Sequence, residues 1–132
     1  MADKIGLSTF VLASPFSNED LHLMSKVKEI GYDVIEICIE DPSKLSAELM
    51  ASAAEKHGLE ISICGAFGPD RDVSHEDFSI REKGIDYLKT CIDFAAEVGS
   101  AYVSGPMYSD TGKARLLSPA ERKEQFNWAT DS

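Results

Sequence analysis

The chain has 132 residues, 43% of them apolar and 27% charged, and its 23 acidic side chains outnumber 13 basic ones for a formal charge of −10. That is the length of one domain, with enough apolar residues for a core, which excludes a disordered or collagen-like chain. No apolar run nears the ~18 residues of a membrane span, the opening Met-Ala-Asp-Lys lacks the basic-then-apolar pattern of a secretory signal, and the acidic field would repel a phosphate backbone. No membrane and no nucleic acid are expected as partners, and the expected location is cytoplasmic.

Residues 4–12 (KIGLSTFVL) read as a first strand. Ser17-Asn18-Glu19-Asp20 then looks like a capping box with acids in the first helical turn, and Leu21, Met24, Val27 and Ile30 fall on one helical face. Gly31 is placed to close that helix in a left-handed conformation. The second strand is Val34–Ile39, and Asp41-Pro42-Ser43 breaks it. Ser46 can cap a second helix, with Leu49, Met50, Ala53 and Ala54 as its inner face and Gly58 as its stop. Residues 61–67 (ISICGAF) form the third strand, followed by a polar loop over 68–75. A long helix begins at Ser79 or as early as Ser74, carries Ile85, Leu88, Ile92, Ala95 and Ala96 as its stripe, and ends at Gly99. Residues 101–107 (AYVSGPM) read as the fourth strand, and Ser118-Pro119-Ala120-Glu121 starts a last helix.

Helix, glycine, a short link and an apolar strand recur at Gly31, Gly58 and Gly99. Repeated units of this kind demand a parallel sheet. Two architectures accommodate four of them: a small open α/β sheet, or the first half of an eight-unit barrel, whose usual length is ~250 residues. In either case functional groups belong at the carboxyl ends of the strands, which here carry the loops rich in Gly, Pro, Asp and aromatics.

Glu36 stands out on the second strand. Ile35, Ile37 and Ile39 alternate with Val34, Glu36 and Cys38, so the isoleucines face the helices and Glu36 faces the barrel interior. A carboxylate there is either bonded to neighbouring strands or acts on a substrate. The three cysteines, Cys38, Cys64 and Cys91, are odd in number, and none sits in a C-x-x-C pair; neither a disulfide framework nor a thiolate zinc site is expected from that spacing. His22 and His57 read as surface residues, while His75 lies in the third loop. Serine-elbow, phosphate-loop and dinucleotide motifs are absent from the chain; Thr111-Gly112-Lys113 is only a short echo of a phosphate loop.

The run 103–109 (VSGPMYS) with Thr111-Gly112-Lys113 resembles the end of the fourth strand in the ketose 3-epimerases, the D-tagatose and D-psicose 3-epimerase group of the sugar phosphate isomerase/epimerase family. The segment 64–69 (CGAFGP) with 70–74 is similar to their third strand and loop, and 31–36 (GYDVIE) to their second strand. The resemblance runs in register through nearly the whole chain. It implies an α/β fold, a (β/α)8 TIM barrel of xylose-isomerase-like type, of which residues 1–132 supply the first four βα units, the amino-terminal half of a single domain.

The same resemblance implies an enzyme that inverts C3 of a small-molecule ketose. A divalent metal, Mn²⁺, Co²⁺ or Mg²⁺, is held in that group by two glutamates, an aspartate and a histidine; the glutamates move a proton on opposite faces of the sugar through an enediolate. Those ligands lie on the later strands, so no metal ligand and no catalytic residue is expected within this chain, and the chain by itself is expected to be inactive. The positions carried over are substrate-binding: Ser8 where an aromatic ring is usual, Phe16 in the loop after the first strand, Cys64 and Gly65 on the third strand, and Met107 after the fourth, beside Glu36 from the reading above. Other branches of the family, such as hydroxypyruvate isomerase or inosose dehydratase, are alternatives. A further one is a non-catalytic half-barrel module whose copies pair through their open edges into a homo-oligomer.

Overall fold

A computed structural model describes residues 3–132. Four strands, β1 (Gly6–Ser8), β2 (Val34–Ile39), β3 (Glu60–Gly65) and β4 (Val103–Ser104), form one sheet in the order β1-β2-β3-β4. The β1–β2 and β3–β4 pairs are parallel, with Ser8 opposite Glu36 and Cys64 opposite Ser104. Between them run α1 (Leu23–Ile30), α2 (Ala47–His57) and α3 (Phe78–Val98), and α4 (Pro119–Asp131) follows β4. This is the expected series of four βα units. Among the described residues no helix is long and apolar enough to cross a membrane.

The chain condenses into two compact units. The first holds the described residues up to Cys64 together with Cys91–Ser104; the second holds Gly65–Thr90 and Gly105–Ser132. All four strands up to Cys64 and Ser104 thus belong to the first unit. Its core lies on the isoleucine face of β2: Ile35, Ile37 and Ile39 are buried, as are Met24 and Val27 of α1 and Met50 and Ala54 of α2. The α1 and α2 helices pack against each other. The expected alternation on β2 is therefore observed.

The caps behave as expected. Ser17 makes a reciprocal capping box with Asp20, though the turn it opens is a short 3₁₀ turn over Asn18–Asp20 ahead of α1. Ser46 accepts from the Leu49 amide, and Ser118 makes a full box with Glu121. Gly31, Gly58 and Gly99 adopt φ of 110°, 64° and 76°, the left-handed region that costs other residues a Cβ clash.

Several expectations need correction. On the first helix only Met24 and Val27 are buried; Ile30 is 61% exposed and Leu21 lies ahead of α1. β1 and β4 are much shorter than the apolar runs 4–12 and 101–107, because the chain turns into a 3₁₀ turn at Thr9–Val11 and into bends after Ser104. On α2, Leu49 is 48% exposed; Ala47, Met50 and Ala54 form the buried face. On α3 the inward residues are Gly84, Tyr87, Cys91 and Ala95, whereas Ile92 is 59% exposed. The buried row keeps the helical period and shares Ala95 with the predicted stripe, but ahead of it sits one residue back, at 84, 87 and 91. Its small members let the backbone come close: a Cβ on Gly84 would lie 3.1 Å from Val73 Cγ1 and 3.3 Å from two backbone nitrogens. The helix begins at Phe78, and Asp77, not a serine, receives its early Ser79 amide at 2.8 Å.

Candidate functional site

In the first unit, three of the expected contacts meet on one face of the sheet near its carboxyl end. Parallel pairing sets Ser8 beside Glu36. Two residues on, Cys38 shares the face of Glu36, and its thiol lies 3.2 Å from the Ser8 hydroxyl. The Cys38 amide donates to Thr9 Oγ1 at 2.9 Å, so the turn after β1 is latched to β2. Cys64, one residue from the end of β3, completes the group. A carboxylate oxygen of Glu36 and the sulfurs of Cys38 and Cys64 all lie within 4.8 Å of one another.

Burial, with the negative charges of Cys38 and Glu36 nearby and the hydrogen bond the protonated thiol donates to Cys38, pushes the Cys64 thiol up to about 12. Among the described residues, Glu36 has no ion pair and is only half-buried. The spacing of the cysteines along the chain concealed this group. Residues 26 positions apart become neighbours only because β2 and β3 are adjacent. Phe16, by contrast, is fully buried.

In the second unit, Gly65 ends β3 and is buried, and Met107 is half-buried in the turn closed by its amide on Gly105 O at 2.9 Å. The loop after β3 and the loop after β4 are joined. The Phe67 amide donates to Pro106 O and the Thr111 amide to Phe67 O. Below them Asp72 is a buried carboxylate, with its side chain 1% exposed. The Ser74 amide and hydroxyl both donate to its Oδ1 at 2.7 Å, and Lys113 Nζ lies 3.1 Å from Oδ2. Burial alone would raise this carboxyl; the bonds from Ser74, the Asp110 amide and Lys113 overcome that and hold it below the usual carboxylate value.

The residues around the join are engaged in structure. Tyr87 accepts from the Ala66 amide at 2.9 Å and lies under the Arg71 guanidinium at 4.1 Å from its ring centre. His75 is spent locally: its Nδ1 accepts from the Asp77 amide and its carbonyl from Arg81. Lys113, the remnant of the phosphate-loop echo, holds Asp72. The sequence reading missed Asp72 altogether. Asp72-Val73-Ser74 signals a local turn, but its lysine partner lies 41 positions on. Beside it a cleft of about 310 Å³ opens between the second loop and α4, lined by Tyr108, Lys113, Arg115, Arg122 and Phe126.

Known proteins share this fold. The family described as xylose isomerase-like TIM barrel matches residues 24–131. A ketose 3-epimerase of Arthrobacter globiformis is 31% identical over 118 residues, 89% of this chain and 40% of that protein. An L-ribulose 3-epimerase of Mesorhizobium japonicum is 23% identical over 96% of this chain and 42% of its own length. Among solved structures, a D-allulose 3-epimerase from Methylomonas sp. in complex with D-allulose superposes with a TM-score of 0.80 at 22% identity, over 97% of this chain and 48% of that one. A structure of L-ribulose 3-epimerase reaches 0.82 over 42% of its chain. This chain spans about two fifths of the curated relatives and about half of the solved chains it matches, consistent with their amino-terminal half. With four βα units in sheet order and the family matched across most of its length, the chain belongs to the xylose isomerase-like TIM barrel family.

Proposed function

We propose that this chain is the amino-terminal half of a barrel that inverts C3 of a free ketose, and that it supplies part of the sugar-facing wall. The observation that supports this most is that relatives named as 3-epimerases match 74–96% of the chain. Within the first unit, Ser8 offers a hydroxyl, Glu36 an acceptor and Cys64 a compact thiol toward a sugar's hydroxyl groups. In the second unit Met107 offers an apolar contact and Gly65 leaves room beside the strand end. Ser8 in place of an aromatic ring removes a stacking surface and widens that end of the wall.

The divalent metal of the resemblance does not fit the residues present. Among the described residues, the one group of three or more mutually close His, Cys, Asp or Glu donors is Glu36, Cys38 and Cys64. It has two sulfurs and no histidine, whereas Mn²⁺ and Mg²⁺ prefer oxygen donors. No proton-transfer step is therefore assigned to this chain's residues. The metal and both proton shuttles belong, in this proposal, to the later strands.

The test has two parts. The coding DNA is read past Ser132, where an open frame of a further half barrel with two Glu, an Asp and a His at strand ends is expected. The complete protein is then incubated with D-allulose, D-tagatose and L-ribulose in heavy water with added Mn²⁺. Epimers at C3 with deuterium at that carbon are expected. Aldose products or no exchange at C3 would move the protein to another branch of the family.

A further inference from the structure

We infer that Glu36, Cys38 and Cys64 form a binding site for a thiophilic divalent cation of the Zn²⁺ class, separate from any oxygen-donor metal site the barrel holds elsewhere. The three donor atoms come from two adjacent strands and already lie within 4.8 Å of one another. Around a tetrahedral ion with Zn–S near 2.3 Å and Zn–O near 2.1 Å, such donors stand about 3.6–3.8 Å apart. Closing the remaining ångström or so is side-chain rotation, because both β2 and β3 are held by their ladders. Two sulfurs and one carboxylate make a donor set that favours Zn²⁺ over the hard ions Mg²⁺ and Mn²⁺.

The surroundings suit a cation. Three groups that become anions on deprotonation face one another, and among the described residues no lysine or arginine pairs with Glu36. The half-buried Glu36 gives the ion a way in, while Cys38 and Cys64 are 1% and 7% exposed. Ser8, 3.2 Å from the Cys38 sulfur, can donate a hydrogen bond to that sulfur once it is a thiolate and fix its direction. Binding exchanges two S–H bonds for two metal–sulfur bonds: each thiol gives its proton to solvent, and the carboxylate fills a third position. The fourth is left for water, which is the coordination pattern of an open zinc site.

The site does not rest on the epimerase reading; a bound ion takes Glu36 and Cys64 away from the proposed sugar contacts, so ion and sugar compete for this wall, and the test does not use turnover. The chain, kept reduced and checked for fold by circular dichroism, is titrated with Co²⁺ as a spectroscopic substitute and then with Zn²⁺. A thiolate-to-cobalt charge-transfer band that saturates at one ion per chain and is displaced by Zn²⁺ is expected, with two protons released per Zn²⁺ bound. An oxygen- and histidine-donor site gives no such band, so occupancy of a catalytic metal elsewhere cannot mimic it. The band should vanish in Cys38→Ser and in Cys64→Ser and survive in Cys91→Ser. Glu36→Gln should weaken Zn²⁺ by about tenfold or more. Absence of the band in the unaltered chain, or its persistence when Cys38 and Cys64 are both replaced, overturns the assignment whatever the stability of the single variants.

Discussion

At the residue scale, Asp72 is a buried charge whose loss is costly. Its carboxylate is enclosed and meets Ser74, the Asp110 amide and Lys113. Replacing it with Ala leaves the Lys113 ammonium and two amides without their acceptor, and breaking such a pair costs about 3 kcal/mol. Urea denaturation of Asp72→Ala should show that loss. The sign of the pH effect follows from the lowered carboxyl. The stabilisation is complete above the ordinary carboxylate pKa of about 4 and drains as pH falls through the lower folded value. The parent protein should therefore lose stability below about pH 4 more steeply than Asp72→Asn, whose uncharged amide does not titrate. Identical acid curves for the two would remove Asp72 as a source of acid sensitivity. This residue was illegible in the sequence because its ion-pair partner is distant along the chain, while Glu36 was legible because a single charge interrupts a strand of isoleucines.

The helices show where periodicity suffices and where it does not. Capping was readable from local chemistry: Ser118 with Glu121 three residues later gives a reciprocal box, and the bonds from Ser118, then Arg115, pull the Glu121 carboxyl down to about 2. Ser118→Ala should cost about 1 kcal/mol of helix stability and move the Glu121 titration part of the way toward the ordinary carboxylate value, because the hydroxyl's bond goes and the backbone amide's bond stays, readable by NMR. An unmoved Glu121 would assign its shift to the backbone amide of residue 118, which alanine keeps, and to Arg115. The buried row of α3 was not readable. Apolar size pointed to Ile85 and Ile92, but the row that turns inward is led by Gly84, since close approach to Val73 outweighs the area an isoleucine would bury. Gly84→Ala improves intrinsic helix propensity, yet its Cβ meets backbone nitrogens pinned by the Asp72 turn. Net destabilisation of about 1 kcal/mol is expected in thermal or urea unfolding, and more for Gly84→Val. A rise in stability would show that the turn yields.

For the molecule as a whole, four repeats of helix, glycine and strand were enough to read a parallel sheet in sequence order. Strand lengths were not, since the apolar runs extend beyond the residues that find ladder partners. Glu36 was legible because alternation along β2 fixes its facing side, whereas Ser8 and Cys64 came from the resemblance to the ketose 3-epimerases and not from any pattern of their own. Cys38 went unnoticed as their companion because burial in a strand and membership of a cluster look alike in one dimension. In the complete protein, Met107→Ala is expected to change the ratio of activities on D-allulose and D-tagatose by severalfold with little change in melting temperature. A lower melting temperature with an unaltered ratio would make Met107 a packing residue.

The join between the loops after β3 and β4 also bears on how relatives can be recombined. Asp72 and Ser74 lie on one loop and Lys113 on the other, and the Phe67 backbone is bonded at both its amide and its carbonyl to the second loop. The two segments are therefore a single inheritable piece. A chimera that took the stretch 65–77 from this chain and 105–118 from a parent without a lysine at the position of Lys113 would strand a buried carboxylate, whereas moving both together carries the lock and its key in the same exchange.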